Sequence, residues 1–132
     1  MPRALRALVV DDDRDAVLTL LALLRDEGHD ARGVYRSADV LPLSREFDPD
    51  VFLLDIAMPG QSGYELAQAI RASRRGLRRP LLVALTGEYK RPADVLMSKA
   101  AGFDHHVTKP YDPVALLGLL KLPPPDEDSE PG

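Results

Sequence analysis

Apolar residues in this chain fall into two alternating kinds of run. Short, nearly continuous runs at 5–10, 51–54 and 81–85 read as buried strands, and a weaker one at 31–35 joins them. Between them the apolar positions space out to a helical period. Val17, Leu20, Leu21 and Leu24 recur at i, i+3, i+4 and i+7, predicting a helix over 14–27 that Gly28 closes at C′. Ser37 is the expected N-cap of a second helix running to about Glu46, which Pro42 should kink or shorten. A turn over 58–63 leads to a helix at 64–73 with Leu66, Ala67 and Ile70 on one face, ended by Gly76. A helix over 93–101, ended by Gly102, precedes a last short strand at 105–108. After Lys109-Pro110, Asp112 caps a final helix with Pro113 at N1 and Leu116, Leu117 and Leu120 buried.

Five strands alternating with five helices at near-even spacing predict an α/β fold. Parallel strands need crossover helices of this length, so the expected form is one open, doubly wound five-stranded parallel sheet covered on both faces. The 132 residues leave room for one domain, placed at 1–121, and the proline-rich acidic segment 122–132 reads as a disordered tail.

With no cysteine, a disulfide framework and a thiolate zinc site are excluded. No apolar run reaches transmembrane length and none near the N-terminus has signal-peptide form, so a cytoplasmic protein away from membranes is expected. The chain has 17 basic and 21 acidic residues, but Asp126, Glu127, Asp128 and Glu130 sit together in the tail. The body is therefore neutral, which disfavours direct nucleic-acid binding by the domain as a whole. A local basic stretch, Arg71, Arg74, Arg75, Arg78 and Arg79, lies at the opposite rim from the acidic strand ends and reads as a solvated loop face.

In open α/β sheets ligands sit beyond the carboxyl ends of the strands, which here carry Asp11, Asp12 and Asp13, then Asp55, Thr86 and Lys109. Carboxylates converging on one rim would repel unless a hard cation joined them, and Mg²⁺ suits carboxylate, carbonyl and water oxygens. Lys109 adds a positive charge and Thr86 a hydroxyl, a set suited to neutralising a phosphoryl group on Asp55 as nucleophile. Asp13 is read as the N-cap of the first helix.

Four segments in order, Leu8-Val9-Val10-Asp11-Asp12, Leu54-Asp55-Ile56-Ala57-Met58-Pro59, Ala84-Leu85-Thr86-Gly87 and Val107-Thr108-Lys109-Pro110, resemble the receiver domain of two-component response regulators. The resemblance covers 5–121 and implies a flavodoxin-like strand order of 2-1-3-4-5. It makes Asp55 the phosphoacceptor, Asp12 a direct Mg²⁺ ligand, Asp11 a ligand acting mainly through water, and the Ala57 carbonyl the remaining protein ligand. Thr86 and the amides of Ala57 and Gly87 would bind the phosphoryl group, Lys109 would pair with its oxygens, and Pro110 would follow a cis bond. The implied function is a switch that takes a phosphoryl group from a sensor histidine kinase or phosphotransfer protein. Its output would pass to a downstream protein through the helix at 93–101, the strand at 105–108 and the final helix. Beyond its own phosphorylation and dephosphorylation, no enzyme activity is implied.

One position departs from the family pattern: His106 stands three residues before Lys109, where receivers carry Tyr or Phe. His105 and His106 are adjacent on a strand, point to opposite faces, and so do not form a metal pair. The segment 102–110 resembles receivers of hybrid histidine kinases, which makes a phosphorelay or phosphate-sink receiver the nearest variant. Glu88 and Tyr89 are expected beside the phosphoryl site, where Glu88 could tune hydrolysis. From other classes come a Mg²⁺-dependent phosphohydrolase, for which Asp11-x-Asp13 is a formal match without room for a cap domain, and a pseudo-receiver that is never phosphorylated.

Overall fold

The computed structural model describes residues 4–58, 61–74, 76–87 and 99–121. Its strands are β1 (Arg6–Val10), β2 (Asp30–Val34), β3 (Val51–Asp55), β4 (Leu81–Thr86) and β5 (His105–Thr108). They form one sheet in the order β2-β1-β3-β4-β5, and every neighbouring pair is parallel. The helices α1 (Arg14–Asp26), α2 (Val40–Phe47), α3 (Gly63–Ser73) and α4 (Pro113–Leu120) connect or follow these strands. Residues 99–101 are also helical; the rest of the helix expected at 93–101 and the tail at 122–132 lie outside the described residues.

Burial on both faces explains why residues 7–10 of β1, 51–54 of β3 and 81–85 of β4 are continuously apolar rather than alternating. Ala7, Val9, Leu53, Val83 and Leu85 face one way, against Val17, Leu20 and Leu24 of α1 and Leu116 and Leu120 of α4. Leu8, Val10, Phe52, Leu54 and Ala84 face the other, against Val40 of α2 and Leu66, Ala67 and Ile70 of α3. The two layers clamp the sheet, so the strand ends are fixed relative to one another. Among the described residues no helix is long and apolar enough to cross a membrane.

Helix boundaries follow local chemistry. The Asp13 carboxylate accepts from the amides of Asp15 and Ala16 at 3.1 and 3.3 Å, so it is the N-cap expected of it. At the other end of α1, Gly28 takes φ +89°; its amide donates to the Arg25 carbonyl and that of His29 to Leu24, a Schellman closure. Asp112 caps α4 ahead of Pro113.

Two expectations need correction. Ser37 does not cap an α-helix: Ser37–Asp39 form a 3₁₀ turn and α2 begins at Val40. The ring of Pro42 excludes an α-helical carbonyl four residues back, at Ala38, while its missing N–H costs nothing in the first turn of α2, so the helix is shortened without an interior break. The second correction concerns the arginine stretch, whose described members are ion-paired rather than simply solvated. Arg71 and Arg79 meet Asp104 at 3.0 and 2.6 Å, Arg74 pairs with Asp48, and Arg78 pairs with Asp50. Arg75 lies outside the described residues.

Candidate functional site

Because the strands are parallel and held in register, their carboxyl ends share one rim, and the first polar residue after the apolar runs of β1, β3 and β4 arrives there together with the residue that follows the more polar β5. Asp11 follows β1, Asp55 ends β3, Thr86 ends β4, and Lys109 follows β5. In-register pairing of Asp55 with Leu85 and of Thr86 with Thr108 carries this alignment across the sheet.

Asp11, Asp12 and Asp55 each offer a carboxylate oxygen, and these oxygens lie within 4.8 Å of one another. Asp11 and Asp55 are buried while Asp12 is exposed. Both oxygens of Asp11 are engaged: Oδ1 accepts from the Asp13 amide at 3.0 Å and Oδ2 from Lys109 Nζ at 2.8 Å. Lys109 Nζ is 3.7 Å from Asp55 Oδ1, which also accepts from the Ala57 amide at 3.2 Å. Among the described residues, the Lys109 ammonium thus meets Asp11 and Asp55, while Asp12 adds a third carboxylate to the cluster.

The electrostatics follow from this imbalance. Burial, then the charge on Asp11, pushes the Asp55 carboxyl above its ordinary value, while Lys109 and the Ala57 amide pull it back. Burial alone would lower Lys109, but the hydrogen bond to Asp11 and the charges of Asp55 and Asp11 outweigh it and raise its value. Tyr111, half-buried beside this lysine, is raised by burial and by Asp11 against the pull of Lys109. An all-oxygen cluster with excess negative charge, partly withdrawn from water, fits a hard divalent cation and does not suit a soft metal.

Thr86 stands at the end of β4 with its Oγ1 buried and without a hydrogen-bond partner among the described residues. Its carbonyl accepts from the Lys109 amide at 2.7 Å, tying the two residues' backbones together. Ala57 and Gly87 are exposed at the same rim. Pro110 follows a cis bond, as the resemblance implied. His106 pairs in register with Ala84 and so lies on the same sheet face as Thr86, two positions along β4. Its ring is tilted 48° to Phe103 at a centroid distance of 6.5 Å. His105 pairs with Val83 on the opposite face, in keeping with the reading that the two histidines do not share a ligand. Glu88 and Tyr89 lie outside the described residues.

The commitment of Asp13 to the α1 cap bears on the alternative chemistry. A nucleophile and acid pair at Asp11 and Asp13 would need both carboxylates in one pocket, whereas the structure gathers Asp11 and Asp12 with Asp55. Sequence reasoning passed over Tyr111, although its place two residues after Lys109 was a visible signal. It also read Gly63 only as part of a turn, although a glycine between a serine cap and a helical run marks a close approach of the backbone.

The model of the response regulator receiver domain family matches residues 7–121. The chain is 32% identical over 126 residues to the DNA-binding response regulator MtrA of Mycobacterium tuberculosis, covering 96% of this chain and 53% of that protein. It therefore spans about half the length of the MtrA relatives it matches. Among solved structures, a CheY-like receiver domain protein of Methanospirillum hungatei superposes with a TM-score of 0.80 at 26% identity, over 90% of this chain and 92% of that one. The receiver domain of the Saccharomyces cerevisiae response regulator Ssk1, solved with the histidine phosphotransfer protein Ypd1, superposes at 0.83 with 20% identity, over 91% and 88% of the two chains, and shares the fold.

Proposed function

The chain belongs to the response regulator receiver domain family, and from that premise we propose that it is a phosphorylation switch whose acceptor is Asp55, within a receiver domain reaching to Lys121. One observation carries the reading: carboxylate oxygens of Asp11, Asp12 and Asp55 gather within 4.8 Å, and Lys109 Nζ reaches both Asp11 and Asp55.

The phosphoryl donor is a phosphohistidine on a sensor kinase or phosphotransfer protein, the kind of partner with which the Ssk1 receiver was solved. A carboxylate oxygen of Asp55 attacks phosphorus in line as the P–N bond to the imidazole breaks. The acyl phosphate forms, and the leaving imidazole keeps the electron pair. Hydrolysis reverses the switch when water attacks phosphorus and the P–O bond to Asp55 breaks, returning the carboxylate and inorganic phosphate. Asp12, Asp55 and the Ala57 carbonyl would hold Mg²⁺, with Asp11 supporting through water. The ion supplies charge neutralisation for the phosphoryl oxygens. Lys109 binds a phosphoryl oxygen by shifting from Asp11, and it brings a fixed positive charge to where negative charge is redistributed. Thr86 Oγ1, buried at the strand end, supplies a hydroxyl to the phosphoryl group, and the amides of Ala57 and Gly87 supply further donors. Engagement of Thr86 biases β4 and β5, with His106 on the same face. The output goes to a protein partner across a surface that includes β5 and α4.

The test is intact mass after incubation with Mg²⁺ and acetyl phosphate, beside Asp55→Ala and a metal-free control. One phosphoryl adduct that needs both Mg²⁺ and Asp55 is expected. An adduct retained in Asp55→Ala would assign the wrong nucleophile. A folded wild type that binds Mg²⁺ and takes up no phosphoryl group from acetyl phosphate or from a phosphohistidine donor would leave a pseudo-receiver.

A further inference from the structure

Asp55 ends β3, the Ala57 carbonyl lies in the short loop that follows, and the beginning of α3 is pressed directly against this segment. The Gly63 amide donates to the Ile56 carbonyl at 3.0 Å. A Cβ placed on Gly63 would stand 2.6 Å from Ile56 Cα and 3.0 Å from the Asp55 carbonyl oxygen. Both contacts are backbone, so neither can turn aside as a side-chain tip would. Gly63 lies in the first turn of a helix, outside the left-handed region, so its requirement is space rather than dihedral freedom.

The helix end itself is fixed from the other side. Ser62 accepts from the Glu65 amide at 3.3 Å while the Ser62 amide donates to the Glu65 carboxylate at 3.2 Å, a complete capping box. Leu66, Ala67 and Ile70 then bury α3 in the core, so the helix cannot back away from the loop. On the loop, the Ala57 amide turns onto Asp55 Oδ1. The chain from 55 to 57 is therefore trapped between its own carboxylate hydrogen bond and the N-terminus of α3.

We propose that Gly63 is a positioning residue for the Asp55 site: the missing side chain lets α3 seat against the Asp55–Ile56 backbone and hold the acceptor carboxylate and the Ala57 carbonyl at the separation a shared cation and a phosphoryl group require. The proposal rests on the reading of Asp55 as acceptor, but its mechanical part is visible without any ligand. A side chain at position 63 forces the loop and the helix apart, and displacements of this size near a reacting centre or metal cost about 10- to 100-fold in affinity or rate.

The experiment compares wild type, Gly63→Ala and Gly33→Ala. Gly33 is the matched control because an added Cβ there also meets a neighbour, Val17 Cγ1 at 2.5 Å, but that neighbour is a side chain of α1 packed away from the loop. In metal-free protein, amide chemical shifts of Gly63→Ala should change most at 55–57. On titration its Mg²⁺ half-saturation should rise, and its phosphorylation rate from acetyl phosphate fall, by about 10-fold or more. Gly33→Ala should lose thermal stability with both quantities within about twofold of wild type, since ligand contacts are untouched. A folded Gly63→Ala with wild-type Mg²⁺ affinity and phosphorylation rate would overturn the proposal, as would equal losses in Gly33→Ala. If Gly63→Ala does not fold, Ser62→Ala loosens the same helix end without adding an atom. A rise of about threefold or more in its Mg²⁺ half-saturation supports the clamp, and no rise overturns it. A wild type that neither binds Mg²⁺ nor accepts phosphate defeats the functional reading instead, and the shifts at 55–57 then decide the positioning claim alone.

Discussion

Lys109 Nζ lies 2.8 Å from Asp11 Oδ2, closer than to the proposed acceptor Asp55 at 3.7 Å, although 98 positions separate Lys109 from Asp11 in the chain. The lysine is thus held by the neighbour of the reacting group. In the resting protein it offsets carboxylate repulsion, and it remains near enough to transfer to a phosphoryl oxygen.

Lys109→Ala should therefore uncover the repulsion it now offsets. At neutral pH without metal, the variant is expected to lose about 2 kcal/mol in urea unfolding. That is less than breaking a fully buried pair, because the lysine side chain is 30% exposed. Saturating Mg²⁺ should restore much of this loss, and phosphorylation should stay at least about 10-fold slow even at saturating Mg²⁺.

Asp55→Asn should act in the opposite direction on stability. The folded state raises this carboxyl above its ordinary value of 3.8, so folding favours the protonated form and the charged form carries a penalty. Stability on this account falls as pH rises from 3.8 through the raised value, and the penalty is complete above it. In chelator, Asp55→Asn is expected to be about 1 kcal/mol more stable than wild type at pH 7, with the difference closing below about pH 4. Thermal melts across pH check this. Added Mg²⁺ should reverse the order, since at about 100 times its Kd a bound ligand contributes about 2.7 kcal/mol to wild type.

Asp48 provides a pH test remote from the site. Its hydrogen bond from Arg74 holds the carboxyl below the usual carboxylate range, with the Arg74, Arg6 and Arg78 charges adding to the effect against burial. A depressed value stabilises the fold above the ordinary 3.8 and is lost as pH falls through the folded value. Asp48→Asn also suits the left-handed φ of +52° at this position, so it isolates the charge. With half of the side chain exposed, the cost at pH 7 should be under about 1 kcal/mol and shrink as the solution is acidified, as followed by denaturation across a series of falling pH.

Asp104 should matter to stability and leave the chemistry alone. Its carboxylate, 7% exposed, accepts from Arg71, Arg79 and the Leu82 amide, at the far end of the sheet from Asp55. Asp104→Ala is expected to cost about 3 kcal/mol by stranding those donors. The phosphorylation rate of the folded fraction should be unchanged when measured by intact mass.

The order of elements and the residues at each strand end were legible in the sequence, for a physical reason. A strand buried on both faces must be apolar throughout, so its end is marked by the first polar residue, and parallel strands deliver all such ends to one rim. Asp11, Asp55 and Thr86 could be read off without coordinates on that ground, whereas β5 is His-His-Val-Thr and only half-buried, so Lys109 was placed by the family motif around it. Asp13 and Asp112 could be read as caps because capping is chemistry within three residues. What the tertiary structure alone decided depends on atoms far apart in the chain. The pairing of Arg71 with Asp104, 33 residues away, turned an apparently solvated basic stretch into a neutralised anchor. The nearer approach of Lys109 to Asp11 than to Asp55, and the pressure of Gly63 on the Ile56 backbone, follow from how α3 and β5 settle on the sheet. A pattern of residue types specifies which face is buried, but distances of a few tenths of an ångström arise only when the two layers of helices have packed against it.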